Sequence, residues 1–348
     1  DAQRAAGVLA MILETHHLTI GYAAPRRAPV VIAADLNVSL AAGELVALIG
    51  PNGAGKSTLI RTLTGMQPPL EGSIRVMGDD LHALKPRTLA QRVAVVLTER
   101  PSAPNLTGYA LVALGRQPHT DWTGALSPDD EQAVHDAVDA VGAADIADRL
   151  LTELSDGQQQ KLLIARALAQ DTPLIVLDEP TAFLDLPRRV EVTRLLGRLA
   201  RDTGRAVLLS THDLDLALRT ADRIWLMSTA HGIGGLVSGA PEDLVLSGAF
   251  EAAFAADGIT FDPATGAFVL TSDPRGVIAL DAPDPLAAIW TARALERAGF
   301  RIKPDAAVRV TVREKSGGHV WHLSGAGESG TFGTLAALVK ALDAVHVT

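Results

Sequence analysis

The residues best suited to chemistry stand in one loop, Gly50-Pro51-Asn52-Gly53-Ala54-Gly55-Lys56-Ser57-Thr58. It fits the pattern G-x-x-x-x-G-K-[ST], with Gly50 and Gly55 as the fixed glycines. Glycines open backbone conformations closed to other residues, so successive N–H groups can curl around phosphate oxygens. A helix beginning at the end of the loop adds its partial positive charge. In such an arrangement Lys56 reaches the β- and γ-phosphates of a nucleotide, and the Ser57 hydroxyl holds Mg²⁺. A second segment, Leu174-Ile175-Val176-Leu177-Asp178-Glu179, ends four apolar residues in two carboxylates. Asp178 is the natural Mg²⁺ partner, and Glu179 is placed to act as a general base on water. A third segment, Val207-Leu208-Leu209-Ser210-Thr211-His212-Asp213, repeats the theme, with His212 able to hydrogen-bond a γ-phosphate.

Elements must carry these groups. Residues 44–49 read as a buried strand before the glycine loop, and residues 59–63 continue as a helix after it. That order turns a pattern match into a phosphate site. Buried parallel strands ending in acids are where an open α/β sheet places its ligand chemistry. Upstream, residues 12–18, 30–40 and 45–49 read as strands separated by turns, and residues 23–29, with two prolines, as a loop. Tyr22, ahead of the glycine loop, can stack on a nucleotide base or simply pack. Residues 73–78 and 93–97 read as further strands, and 111–114 and 129–141 as helices. The second helix carries acids in its first turn and Val134, Val138 and Val141 on one face. Residues 143–150 read as another short helix.

Next comes Leu154-Ser155-Asp156-Gly157-Gln158-Gln159-Gln160-Lys161, leading into a helix over 162–169. A serine and a glycine at a helix start can bind an anion, although alone they make only an N-cap. Residues 224–227 and 235–237 read as closing strands and 241–254 as one helix. After a turn-rich stretch at 256–275, the pattern is strand (277–280), helix (285–298), strands (300–303, 308–313, 319–323) and helix (331–344). His319 and His322 fall on opposite faces of a strand, which disfavours a shared metal.

The chain has 348 residues, enough for two domains, and its composition (47% apolar, 20% charged) suits a globular protein. A net charge of −9 speaks against a general nucleic-acid partner. No cysteine is present, so disulfides and thiolate metal sites are excluded. No apolar run approaches the roughly 20 residues needed to span a bilayer.

Taken together, the motifs over about residues 12–250 resemble the nucleotide-binding subunit of ABC transporters. The glycine loop resembles the Walker A motif, Leu154-Ser155-Asp156-Gly157-Gln158 the family signature, and residues 174–179 Walker B with its glutamate. Ala182-Phe183-Leu184-Asp185 resembles the D-loop, His212 the switch histidine and Tyr22 the stacking aromatic. Gly115-Arg116-Gln117-Pro118-His119 and the segment 179–185 further resemble the group that imports iron–siderophore complexes, haem and cobalamin. One departure stands out. Where the family has a glutamine that contacts Mg²⁺, this sequence has Glu99. A carboxylate still ligates Mg²⁺ but adds negative charge near the γ-phosphate.

The resemblance implies a P-loop NTPase fold of the ABC ATPase type with a helical subdomain at about 100–160, and a small C-terminal α+β domain. The expected division is an extension (1–11), the ATP-binding domain (12–255) and an accessory domain (256–348). The implied ligands are ATP and Mg²⁺. The implied partners are a second copy of the chain, a transmembrane permease docking near residues 100–120 and, indirectly, a substrate-binding protein. The place is the cytoplasmic face of the membrane. Lys56, Ser57 and Asp178 would bind phosphates and Mg²⁺ in one subunit, while Ser155 and Gly157 close on the γ-phosphate from the other. Glu179 would orient water. Soluble ABC-type ATPases of DNA repair or translation are the alternative; the former carry long coiled-coil insertions and the latter tandem ATPase halves, and this chain has neither. The accessory domain is either regulatory or a structural appendage.

Overall fold

The computed structural model describes residues 10–23, 28–98, 105–182, 184–229, 233–254, 259–263, 265–270, 274–315, 318–325 and 329–343. Two compact units divide the chain: Asp1–Ala256 with Thr260–Val269, and Asp257–Ile259 with Leu270–Thr348.

The first unit holds strands β1 (Met11–Tyr22), β2 (Val30–Leu36), β3 (Ser39–Ala41), β4 (Leu45–Ile49), β5 (Glu71–Val76), β6 (Asp79–Asp80), β7 (Val93–Val96), β8 (Leu174–Leu177), β9 (Ala206–Ser210), β10 (Arg223–Ser228) and β11 (Gly235–Gly239), and all but one end residue each of β12 (Ile259–Asp262) and β13 (Ala267–Leu270). Its helices are α1 (Lys56–Leu63), α2 (Pro86–Ala90), α3 (Gly108–Ala113), α4 (Pro128–Ala140), α5 (Asp156–Ala169), α6 (Leu186–Thr203), α7 (Leu214–Thr220), α8 (Pro241–Leu246) and α9 (Ala249–Ala253). Among the described residues, an antiparallel sheet runs β2-β1-β5-β6 with β3 also on β1, and a six-stranded sheet runs β11-β10-β4-β9-β8-β7. Strands β10, β4, β9, β8 and β7 are mutually parallel. Every residue of β4, β8 and β9 is buried. Such unbroken apolar runs suit parallel strands covered on both faces.

Strand order sets up the site. Because β9 lies between β4 and β8, the glycine loop after β4 and the acids after β8 flank the end of β9. Leu48 pairs with Ser210, and Leu177 with Leu209. The end of β9 therefore stands level with both.

The helical layer of this unit packs α3, α4 and α5 around Leu111, Val134, Val138, Leu162 and Leu163. The Gly115–His119 segment is what locks it. A methyl group on Gly115 would stand 2.3 Å from the Arg166 carbonyl oxygen, so only glycine allows this approach. Arg116, buried, donates from Nε to Asp130 Oδ1 (2.8 Å) and from Nη1 to the Ala169 carbonyl (2.8 Å). His119 Nε2 meets the Gln170 carbonyl at 2.8 Å. Asp130 also closes a capping box with Ser127 at the start of α4. Hydrogen bonds from the Ser127 hydroxyl and backbone, then from Arg116, hold its carboxyl at about 2 against the opposing effect of burial. Removing one partner of a buried ion pair strands the other. Asp130→Ala is expected to cost about 3 kcal/mol or more in urea unfolding. The folded value lies below the ordinary 3.8, so the Asp130 contribution is present above about pH 4 and fades as the pH falls towards 2. An acid titration of stability should lose this component in Asp130→Ala.

The second unit holds β14 (Gly276–Asp281), β15 (Phe300–Ile302), β16 (Val308–Lys315), β17 (Gly318–Ser324) and β18 (Gly330–Phe332), with α10 (Pro285–Arg297) and α11 (Leu335–Asp343). Sheet order is β15-β14-β16-β17-β18. Ile278, Val310 and Leu323 of the sheet pack with Leu295 of α10 and Leu338 and Leu342 of α11. Trp321 Nε1 donates to the buried Thr291 hydroxyl at 2.8 Å.

Local periodicity misplaces four elements. The single strand expected over 30–40 is two that run on in the same direction, both antiparallel to β1; the pairing is interrupted after Leu36, beside Asp35, which is left-handed (φ 54°) and whose carbonyl accepts from Asn37 Nδ2. The helix expected over 143–150 is only a 3-10 turn, Ala144–Ile146. The helix expected over 241–254 breaks into α8 and α9 at Gly248, which takes φ 75°. The helix expected over 331–344 starts only at Leu335, because Gly330–Phe332 pairs with β17, with Phe332 opposite Trp321. No helix among the described residues is long and apolar enough to cross a membrane.

Candidate active site

The glycine loop joins the end of β4 to α1 as its sequence requires. A methyl group on Gly50 would stand 2.6 Å from the Met227 carbonyl oxygen of β10. Gly55 takes φ 101°, and a methyl there would stand 2.4 Å from Ile32 Cγ2. Both positions therefore need glycine. Lys56 is buried, and its Nζ donates to the carbonyls of Gly50 (2.8 Å) and Pro51 (3.1 Å). Burial pushes its pKa down, while the Glu179 and then the Asp178 carboxylates push it back up. The ammonium is thus tied to the loop and feels the two acids.

Tyr22, Asn52, Gly53, Gly55, Lys56, Ser57, Thr58, Glu179 and His212 line one cleft of about 290 Å³. Pro51 and the buried Ala54 complete the loop behind it. Tyr22 is half-exposed, and its hydroxyl and that of Thr58 lie 3.0 Å apart. Glu179 is left-handed (φ 49°), rare for a non-glycine residue, and its Oε1 meets His212 Nε2 at 2.5 Å. A second cavity of about 250 Å³ lies against the same Glu179–His212 pair and is lined also by Thr181, Arg189 and Asp213. Arg189 donates from Nε to the Leu184 carbonyl at 2.8 Å and faces Asp213 at 3.6 Å.

Of the remaining predicted residues, Ser155, Gly157, Gln158 and Asp185 do not line the cleft. Ser155 caps α5 in a capping box, accepting from the Gln158 N–H (3.4 Å) while Gln158 Oε1 accepts from the Ser155 N–H (2.9 Å). Ser155 is exposed. Gly157 is covered by the exposed Arg188, whose Cδ would stand 2.9 Å from a methyl at that glycine. Asp185 caps α6, accepting from the Arg188 N–H at 3.0 Å. Glu99 lies outside the described residues, as do Phe183 and residues 100–104 of the segment expected to meet a permease.

Two groups carry no role in the sequence reading. Ile32 packs on Gly55 and lines the cleft. Ser210, fully buried, donates its hydroxyl to Asp178 Oδ1 (2.7 Å) and accepts from the Glu179 N–H (2.8 Å). Its only sequence signal is a polar residue ending the apolar run of β9.

Ser57 and Asp178 offer hard oxygen donors of the kind Mg²⁺ takes. A glycine loop at a helix start, two acids and a histidine at neighbouring strand ends define a P-loop nucleotide site.

Comparison with known proteins is consistent with this class. The profile described as "ABC transporter" matches residues 33–182, and that described as "Iron ABC transporter C-terminal domain" matches residues 275–343. An uncharacterized ABC transporter ATP-binding protein of Methanocaldococcus jannaschii is 37% identical over 76% of this chain and 88% of its own length. An iron(3+)-hydroxamate import ATP-binding protein of Bacillus subtilis is 40% identical over 60% of this chain and 75% of its own. A cobalamin import ATP-binding protein of Halobacterium salinarum is 39% identical over 69% of this chain, which spans 59% of that relative. Among solved structures, an inward-facing metal-chelate type ABC transporter covers 74% of this chain and 95% of its own at TM-score 0.60 and 27% identity. A dimeric bacterial ABC transporter cassette covers 62% and 94% at TM-score 0.54 and 27% identity. The chain belongs to the family of ABC transporter ATP-binding proteins.

Proposed function

We propose that this chain is the ATP-hydrolysing subunit of an importer for metal chelates of the iron–siderophore, haem or cobalamin class. The observation that carries the reading is that Lys56, Ser57, Glu179 and His212 line one and the same cleft. Relatives that import hydroxamate-bound iron and cobalamin support the cargo class. The partners are a transmembrane permease, through it a substrate-binding protein, and a second copy of this chain; the place is the cytoplasmic face of the membrane.

In this mechanism the loop amides and Lys56 hold the β- and γ-phosphates, and Tyr22 stacks on the base. Ser57 and Asp178 would hold Mg²⁺, which neutralises phosphate charge when bound. Glu179 takes a proton from the attacking water, and His212 hydrogen-bonds the γ-phosphate. Ser155 and Gly157 stand apart from the cleft of their own subunit, so they close on the γ-phosphate of the partner. ATP closes the dimer and hydrolysis reopens it, which drives the permease.

The test is expression in a native host and purification from solubilised membranes. Co-purification with a multispan permease, and ATPase activity stimulated by chelate-loaded binding protein, is the expected result. An ATPase that purifies without membrane partners and responds to nucleic acid or ribosomes instead would overturn it.

A further inference from the structure

The end of β9 carries a feature that the ATPase reading does not use. Ser210 is fully buried, yet both capacities of its hydroxyl are committed. A backbone N–H can only donate, so Oγ must accept from Glu179 N (2.8 Å). Its single proton is then directed to Asp178 Oδ1 (2.7 Å). The hydroxyl thus grips two consecutive acids, one by side chain and one by backbone. Glu179 occupies a left-handed conformation (φ 49°) that a residue with a side chain adopts at a cost. Something must hold it there, and the Ser210 bond to its N–H does so from the neighbouring strand. The same bond to Oδ1 leaves the second oxygen of Asp178 without a hydrogen-bond partner among the described residues.

We infer that Ser210 is a positioning residue of the hydrolytic site. Its hydroxyl orients the Asp178 carboxylate towards a divalent cation and holds the Glu179 backbone where its carboxylate meets His212. The inference rests on the ATPase reading above. Partners behind a metal ligand commonly change metal affinity or activity by about 10–100-fold when removed.

The test compares S210A, S210C and S210T in the full chain. Ser210→Cys keeps the side chain's volume with a poor hydrogen-bonding group, and Ser210→Thr keeps the hydroxyl. The affinity for ATP is measured without divalent cation and then against Mg²⁺ concentration, alongside kcat. The Ala and Cys variants are expected to bind metal-free ATP as the parent does. Their Mg²⁺ half-saturation should rise about tenfold or more, and kcat should fall by a similar factor. Ser210→Thr should recover most of both. Mg²⁺ dependence in Ser210→Cys within twofold of the parent would overturn the proposal, as would a Thr variant no better than Ala. A parent chain that shows no Mg²⁺-dependent ATP binding would instead overturn the ATPase reading itself, and Ser210 with it.

Discussion

Glu179→Gln is expected to slow ATP turnover by about 10²–10⁴-fold, the usual contribution of a positioned proton acceptor, while ATP binding survives. The substitution keeps the shape of the side chain and removes its charge. The His212 contact to Oε1 can persist, since an amide oxygen also accepts a hydrogen bond. Backbone bonds to Ser210 and to the Ala182 N–H do not involve the carboxylate, so the left-handed turn should stand. With binding intact and hydrolysis blocked, the closed ATP-bound dimer should accumulate. Steady-state ATPase and size exclusion with and without ATP check both halves. Full turnover in this variant would contradict the role of Glu179.

Lys56→Ala is expected to weaken nucleotide binding itself. A hydrogen bond to a charged group is worth about 1.5–3 kcal/mol. Losing contacts to two phosphates therefore corresponds to about 10²-fold or more in affinity. The Lys56 ammonium is also tied to the loop itself, donating to the Gly50 and Pro51 carbonyls. Its removal frees the loop as well as deleting the cation. Titration with a fluorescent ATP analogue measures the loss. Retained affinity within threefold would show that Lys56 does not face the phosphates.

The two variants separate the steps: one stops chemistry after binding, the other stops binding. What made them legible in advance is that the glycine loop and the acids are local patterns. The apolar runs of β4, β8 and β9 announce buried parallel strands, with the glycine loop following β4, the two acids following β8, and Ser210 closing β9. Strand order was not legible, because nothing local says that β9 lies between β4 and β8. That order is what brings Ser210 to Asp178 and Glu179, so Ser210 could not be singled out from its neighbours. The break at Gly248 and the pairing of Gly330–Phe332 were hidden for the same kind of reason. Helical spacing continues across Gly248, and Phe332 is decided by its cross-strand partner Trp321. The Gly115–His119 segment, in the sequence only a mark of resemblance, has a packing explanation in the Arg116–Asp130 pair.

Each chain is expected to lend its Ser155–Gly157 corner to the nucleotide held by its neighbour. The chain has no cysteine, so paired thiols can be introduced without background. Cysteines at Asn52 in the cleft and at the exposed Ser155, in a Glu179→Gln chain, give the direct test. At high dilution, oxidation with ATP should yield a covalent dimer on a non-reducing gel, and oxidation without ATP should not. A chain that stays monomeric with ATP while still binding it would contradict the account.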